Sequence, residues 1–145
     1  MLYISGIHAL NIEDSLETCG DWHTSALQWE RIDLLDSDKT IFKGWGIEID
    51  KSIPEHDELY NVANTLRAIL DLMVQGSLGY LKGFRNDFIC TDIYNLKFFK
   101  KVWMLRDLSH WEDINNLMKR EFMFDWDKFR EESLKCKIGE YCIMR

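Results

Sequence analysis

Apolar residues recur at helical spacing most regularly between Ile53 and Gly76. Leu59, Val62, Ala63, Leu66, Ile69, Leu70 and Met73 lie three or four positions apart and trace one face of a helix. Ser52 in the N-cap position, Pro54 in the first turn and Glu55 three residues after the cap match helix-start chemistry. Gly76 matches a helix stop. Ala68, Leu72 and Val74 widen the apolar face, so the second half of this helix is expected to be buried on most sides. Asn61, Asn64, Thr65, Arg67 and Asp71 are expected to face water, with a site as the alternative.

Period-two patterning marks two strands before that helix. Residues 2–12 carry Tyr3, Ile4, Ile7 and Ile12, with Gly6 as a bulge or close approach. In residues 40–50, Trp45, Ile47 and Ile49 alternate with Gly46, Glu48 and Asp50. These two strands are expected to pair antiparallel. Between them, Asp21 is placed to cap a short helix over Trp22–Glu30.

Helical spacing returns after Gly76. Leu78, Leu81, Phe84, Phe88 and Ile89 form one amphipathic segment, interrupted by Gly79 and Gly83. Leu96, Phe99, Trp103 and Met104 mark another within Asn95–Leu108. Ser109 and Glu112 sit at capping-box spacing before Ile114, Leu117 and Met118. Asp125–Leu134 carries Trp126, Phe129 and Leu134, and Ile138–Met144 reads as a last edge strand. The pattern predicts an α+β fold: one compact domain over residues 1–145, with a small antiparallel N-terminal sheet packed against a layer of four to five helices. An all-α domain with a hairpin appendage is the alternative.

Composition narrows the class. A hydrophobic fraction of 46% supplies a core, and a single Pro with eight Gly argues against disordered linkers. No apolar run is long enough for a membrane helix, and the N-terminus lacks the basic and apolar regions of a signal peptide. A cytoplasmic location and free thiols at Cys19, Cys90, Cys136 and Cys142 are therefore expected.

Charge is uneven. Residues 1–60 hold four Lys/Arg against thirteen Asp/Glu, a net of −9, while residues 61–145 hold fourteen against twelve, a net of +2. The balance argues against nucleic acid and toward either a basic protein partner or solubility alone.

Four constellations bear chemistry. His8, Cys19, Asp21 and His23 contain the residue types of a thiolate–imidazole catalytic group, and Cys19 and His23 have the spacing of two metal ligands. Gly20 breaks a continuous helix through them, and no metal or cofactor is assigned. Arg85 and Asn86, within Lys82–Asp87, have the chemistry to contact a phosphate, a base edge or a protein partner. The alternating Phe122, Phe124 and Trp126 cannot all point inward from one short helix, so part of that stretch is expected to anchor an interface, with a second copy of the chain as one occupant. The fourth is the wider aromatic run from Phe98 to Phe129, most of it core. No catalytic motif of high specificity is present. The leading expectation is an acidic protein-binding module, an inhibitor or antitoxin-like partner of a basic protein. The alternative is a small enzyme built on His8, Cys19, Asp21 and His23.

Overall fold

The computed structural model describes residues 1–21 and 23–137, with the backbone alone for Ser25, Cys136 and Lys137. Two two-stranded ladders make its sheet. Strands β1 (Leu2–Ile4) and β2 (Leu34–Asp36) pair antiparallel, as do β3 (Ile47–Lys51) and β4 (Tyr60–Ala63). A parallel β1–β4 contact at Ile4 and Val62 joins them, giving the order β2-β1-β4-β3. The sheet is thus small and N-terminal, as the pattern predicts, but mixed instead of purely antiparallel. The expected pairing of the two N-terminal strands does not occur. β3 pairs with β4, its neighbour in sequence across residues 52–59, and the two flank only through β4.

The strand β4 is the main departure from the hydrophobic pattern. Val62 and Ala63, whose spacing extends the helical stripe, are 2% and 1% exposed within the sheet, while Leu59 is 58% exposed. Helix α2 spans only Thr65–Gln75. Its true cap is Asn64, whose side chain accepts the Arg67 N–H at 2.9 Å. The stop is as expected: Gly76 takes the left-handed conformation at φ 78°, and its N–H bonds to Met73 O. Burial on most sides also holds, since every residue from Thr65 to Met73 is buried. That includes Thr65, Arg67 and Asp71, against the expectation that they face water.

Elsewhere the helical signal is partly realised. Residues 6–10 form a short helix, α1 (Gly6–Leu10), so the first strand stops at Ile4. The segment expected as a helix over Trp22–Glu30 is a single 3-10 turn at Thr24–Ala26, followed by Trp29, which is buried with its Nε1–H donating to Thr24 O at 3.0 Å. The 77–88 segment is broken into a 3-10 turn, Leu78–Leu81, and a π-turn, Arg85–Ile89. Helices α3 (Asn95–Trp103), α4 (Trp111–Phe122) and α5 (Phe124–Lys137) complete the helical layer. Ile114, Leu117 and Met118 are buried as their spacing predicts, whereas Leu96 and Met104 of the α3 segment are half exposed and Phe98 and Val102 fill the core in their place. The expected strand over Ile138–Met144 lies outside the described residues. Among the described residues, no helix is long and apolar enough to cross a membrane.

Candidate functional site

The four N-terminal candidates do not form one site. His8 lies on α1, where its Nε2–H donates to Gln28 O at 2.8 Å and its ring meets Trp29 edge-on at 4.8 Å. Cys19 is bonded to Cys90 in a disulfide, with Cα atoms 6.0 Å apart and a sequence separation of 71. Only Asp21 and His23 meet: Asp21 Oδ1 lies 2.7 Å from His23 Nδ1. Asn11 holds that pair, donating from Nδ2 to Asp21 Oδ2 at 3.2 Å and accepting the His23 backbone N–H. The His23 side chain is 76% exposed, so its ring looks into solvent.

The disulfide corrects two expectations. Cys19 and Cys90 are not free thiols, and Cys19 in this state has no thiolate for catalysis or zinc. The approach is backbone-driven: the Cys19 and Gly20 N–H groups both donate to Phe88 O, at 3.0 and 2.9 Å. A separation of this length carries no spacing signal in sequence. Among the described residues, no cluster of three or more His, Cys, Asp or Glu could hold a metal ion.

The most ordered polar constellation is one that the sequence reading sent to the surface. Arg67 is fully buried, and its five N–H donors all have partners. Nε donates to Asp71 Oδ1 at 3.0 Å. Nη1 donates to Lys43 O at 2.8 Å and to Trp45 O. Nη2 donates to Tyr3 OH at 3.0 Å and Thr40 Oγ1 at 2.9 Å. Asp71 Oδ2 accepts from Tyr3 OH at 2.7 Å and from Ser5 Oγ at 2.6 Å. Burial, then the bond to Asp71, pushes the Tyr3 phenol well above its ordinary range, so it stays neutral. Gly46 admits the guanidinium stem: a Cβ there would stand 2.7 Å from Arg67 Cβ, and its φ is +76°. With every donor committed, the constellation is a closed frame that fixes β1, α2 and residues 40–46 on one another. The signal that could have found it is the i, i+4 spacing of Arg67 and Asp71 inside an otherwise apolar helix.

The partner-binding candidates divide by burial. Phe122 and Trp126 are 2% and 0% exposed and belong to the core, correcting their assignment to an interface. Phe122 packs edge-on against Phe99 at 4.8 Å, and Trp126 stacks on Phe129 at 5.6 Å with its Nε1–H donating to Asn115. Phe124 is 73% exposed. The split arises at Met123, held at φ 48° and ψ −119° between α4 and α5, where the chain turns Met123 and Phe124 outward. Such a conformation is strained for a residue with a Cβ.

Arg85 ties this junction to the preceding turn. Its backbone N–H donates to Glu121 Oε1 at 3.0 Å and its Nη1 to Glu121 O at 3.1 Å. Nη2 donates to Asp92 Oδ1 at 3.1 Å and lies 3.9 Å from Asp125 Oδ2. The guanidinium also sits 5.2 Å over the Phe122 ring. Arg85 is thus spent on carboxylates instead of being presented to a phosphate, while Asn86 is exposed beside it. Arg85 thereby links Asp92, which precedes the exposed Ile93 (64%), to Asp125, which follows Phe124. Asp125 also rims a cavity of about 310 Å³, floored by Leu96, Phe99 and Phe129 and bordered by Asn95, Lys128 and Glu132. The geometry offers an apolar surface with a rim carrying more carboxylates than cations. Searches of the chain against protein-family models, curated proteins and solved structures found no match.

Proposed function

We propose that this chain is a protein-binding module, acting as an inhibitor or antitoxin-like partner of a protein with a basic surface. One observation carries the reading: Phe124 stands 73% exposed on a strained α4–α5 junction, after the exposed Met123 and before Asp125, which rims a groove floored by Leu96, Phe99 and Phe129. Large apolar side chains grouped this way favour a protein partner over water. The carboxylates of Asp92, Asp125 and Glu132 around it, and a net charge of −7, favour a partner bearing Lys and Arg. The enzyme reading loses its support with the dispersal of His8, Cys19, Asp21 and His23. A cytoplasmic setting would call for the Cys19–Cys90 pair to be reduced, since disulfides persist in oxidising compartments. Alkylation of the purified native chain without reductant, read by mass, separates the two states.

The test is capture from a lysate of the source cells on immobilised protein. A partner retained at low salt should be lost with Phe124→Ser and kept with Leu134→Ser, which removes a comparably exposed side chain from another part of α5. Its association should slow as salt rises. Equal capture by both variants would sink the proposed surface. A homodimer in sedimentation that dissociates with Phe124→Ser would assign the patch to self-association instead.

A further inference from the structure

A second cleft, of about 270 Å³, opens between the β1–α1 turn, the last turn of α2 and Tyr80. Leu35 and Leu72 supply apolar wall, and His8, Asp33, Gln75, Ser77 and Tyr80 supply polar groups. The side chains of Asp33, Gln75, Ser77 and Tyr80 make no hydrogen bond to other described residues. His8 gives its Nε2–H to Gln28 O, which orients the ring and, in the neutral form, leaves Nδ1 as an acceptor. The turn that shapes the cleft is fixed from behind: Ser5 bonds to Asp71 and Gly6 takes φ +64°. Concave, largely pre-formed sites with apolar walls and a few unpartnered polar groups are the usual form of small-molecule sites.

The charge decides the ligand class. Among the described residues, no Lys or Arg lines the cleft, and Asp33 is its only carboxylate. The Asp71 charge behind Ser5 is already matched by Arg67. An anion would meet Asp33 with no compensating cation, whereas an ammonium group has a carboxylate, neutral acceptors and the Tyr80 ring to meet. We infer that this cleft binds a small organic ammonium ion, a primary amine whose hydrocarbon body lies against Leu35 and Leu72.

Phenethylamine is a suitable probe, and 2-phenylethanol is its neutral counterpart of similar shape. Titration of each into the purified full chain, followed by amide NMR shifts, should give saturable shifts at residues 5–8, 33 and 75–80 with the amine. The alcohol should bind at least tenfold more weakly. Asp33→Asn should weaken the amine at least tenfold and Tyr80→Ala several-fold, while Asp57→Asn, remote from the lining, should change nothing. Asp33 and Tyr80 are exposed, so both variants should keep the wild-type spectrum outside the cleft. Absence of saturable shifts, equal binding of the alcohol, or an unchanged affinity in Asp33→Asn would each overturn the inference.

Discussion

The sheet half and the helical half of this protein solve burial in opposite ways. Around α2 the core closes on a charge: Arg67 and Asp71 sit at 0% and 4% exposure, with Tyr3, Ser5, Thr40 and two backbone carbonyls as partners. Around α3–α5 the core is a cluster of rings: Phe84, Phe98, Phe99, Phe122, Trp126 and Phe129 pack mostly edge-to-face at 4.8–6.1 Å, with Trp126 stacked on Phe129. A buried ion with every donor used tolerates one arrangement, because a lost partner leaves a charge without water. Dispersion between rings is spread over many contacts and degrades gradually. The difference teaches that the sheet half is fixed by polar groups turned inward, whereas the ring-packed half is held by dispersed apolar contacts. Both leave apolar side chains exposed, and Phe124 at 73% is the most exposed large one among the described residues.

The largest break should come from the charge. Arg67→Met leaves Asp71 buried without its cation and should cost about 3–5 kcal/mol in urea unfolding. Adding Asp71→Leu to it should recover a substantial part of that loss. If Arg67→Met alone proves near neutral, the frame is not organising the sheet half.

The Cys19–Cys90 bond links the segment that covers α2 to the turn that enters the helical half. Asp14 on that segment accepts the Thr65 N–H, and Thr18 bonds to Thr65, so its loss is felt at the start of α2. Replacing both cysteines by Ser should lower stability by about 2–4 kcal/mol, read as a shift of the urea midpoint. Wild type in strong reductant should match the double variant.

How much of this contrast was legible in sequence follows from what each half is made of. Ile114, Leu117 and Met118 were readable because their neighbours in space are also their neighbours on a helix. The end of α2 at Gly76 was readable because a left-handed cap is a local demand. β4 was not: Tyr60–Ala63 continues the helical spacing of α2, and only pairing with β1 and β3 makes it a strand. Arg67 reads as a surface residue because four of its partners come from residues 3, 40, 43 and 45, which no spacing reveals; only the i, i+4 spacing to Asp71 is visible in sequence. Which of Phe122, Phe124 and Trp126 points outward is not readable, because the turn at Met123 that separates Phe122 from Phe124 has neither Gly nor Pro to announce it. The pairing of Asp21 with His23 was within reach of sequence, but His8 and Cys19 were drawn in by residue type and not by geometry.

Tyr3→Phe removes one bond from each of two buried charged partners and should cost about 1.5–3 kcal/mol near neutral pH. Its sharper signature is pH dependence. The folded-state pKa of Tyr3 is raised, so its contribution is complete below an unfolded tyrosine's value of about 10 and is lost as pH rises beyond it. Wild-type stability should therefore fall above about pH 10, and Tyr3→Phe should fall less steeply. Tyr60, raised through its bond to Glu58, leaves a residual slope in both.

Ring packing should prove forgiving. Phe99→Leu, a swap that keeps most of the volume, should cost about 1–1.5 kcal/mol by the same urea measurement. A loss as large as that of Arg67→Met would erase the contrast between the halves.

The smallest effect on stability is expected where function is proposed. Phe124→Ser removes an exposed ring and should change unfolding free energy by less than about 0.5 kcal/mol. The most direct test is photocrosslinking in the source cells with a benzophenone amino acid in place of Phe124 and, separately, of Leu134. The account predicts one discrete adduct, of a mass other than twice this chain, from position 124 and none from position 134. No adduct at 124, equal adducts at both positions, or an adduct of exactly two chains would contradict it.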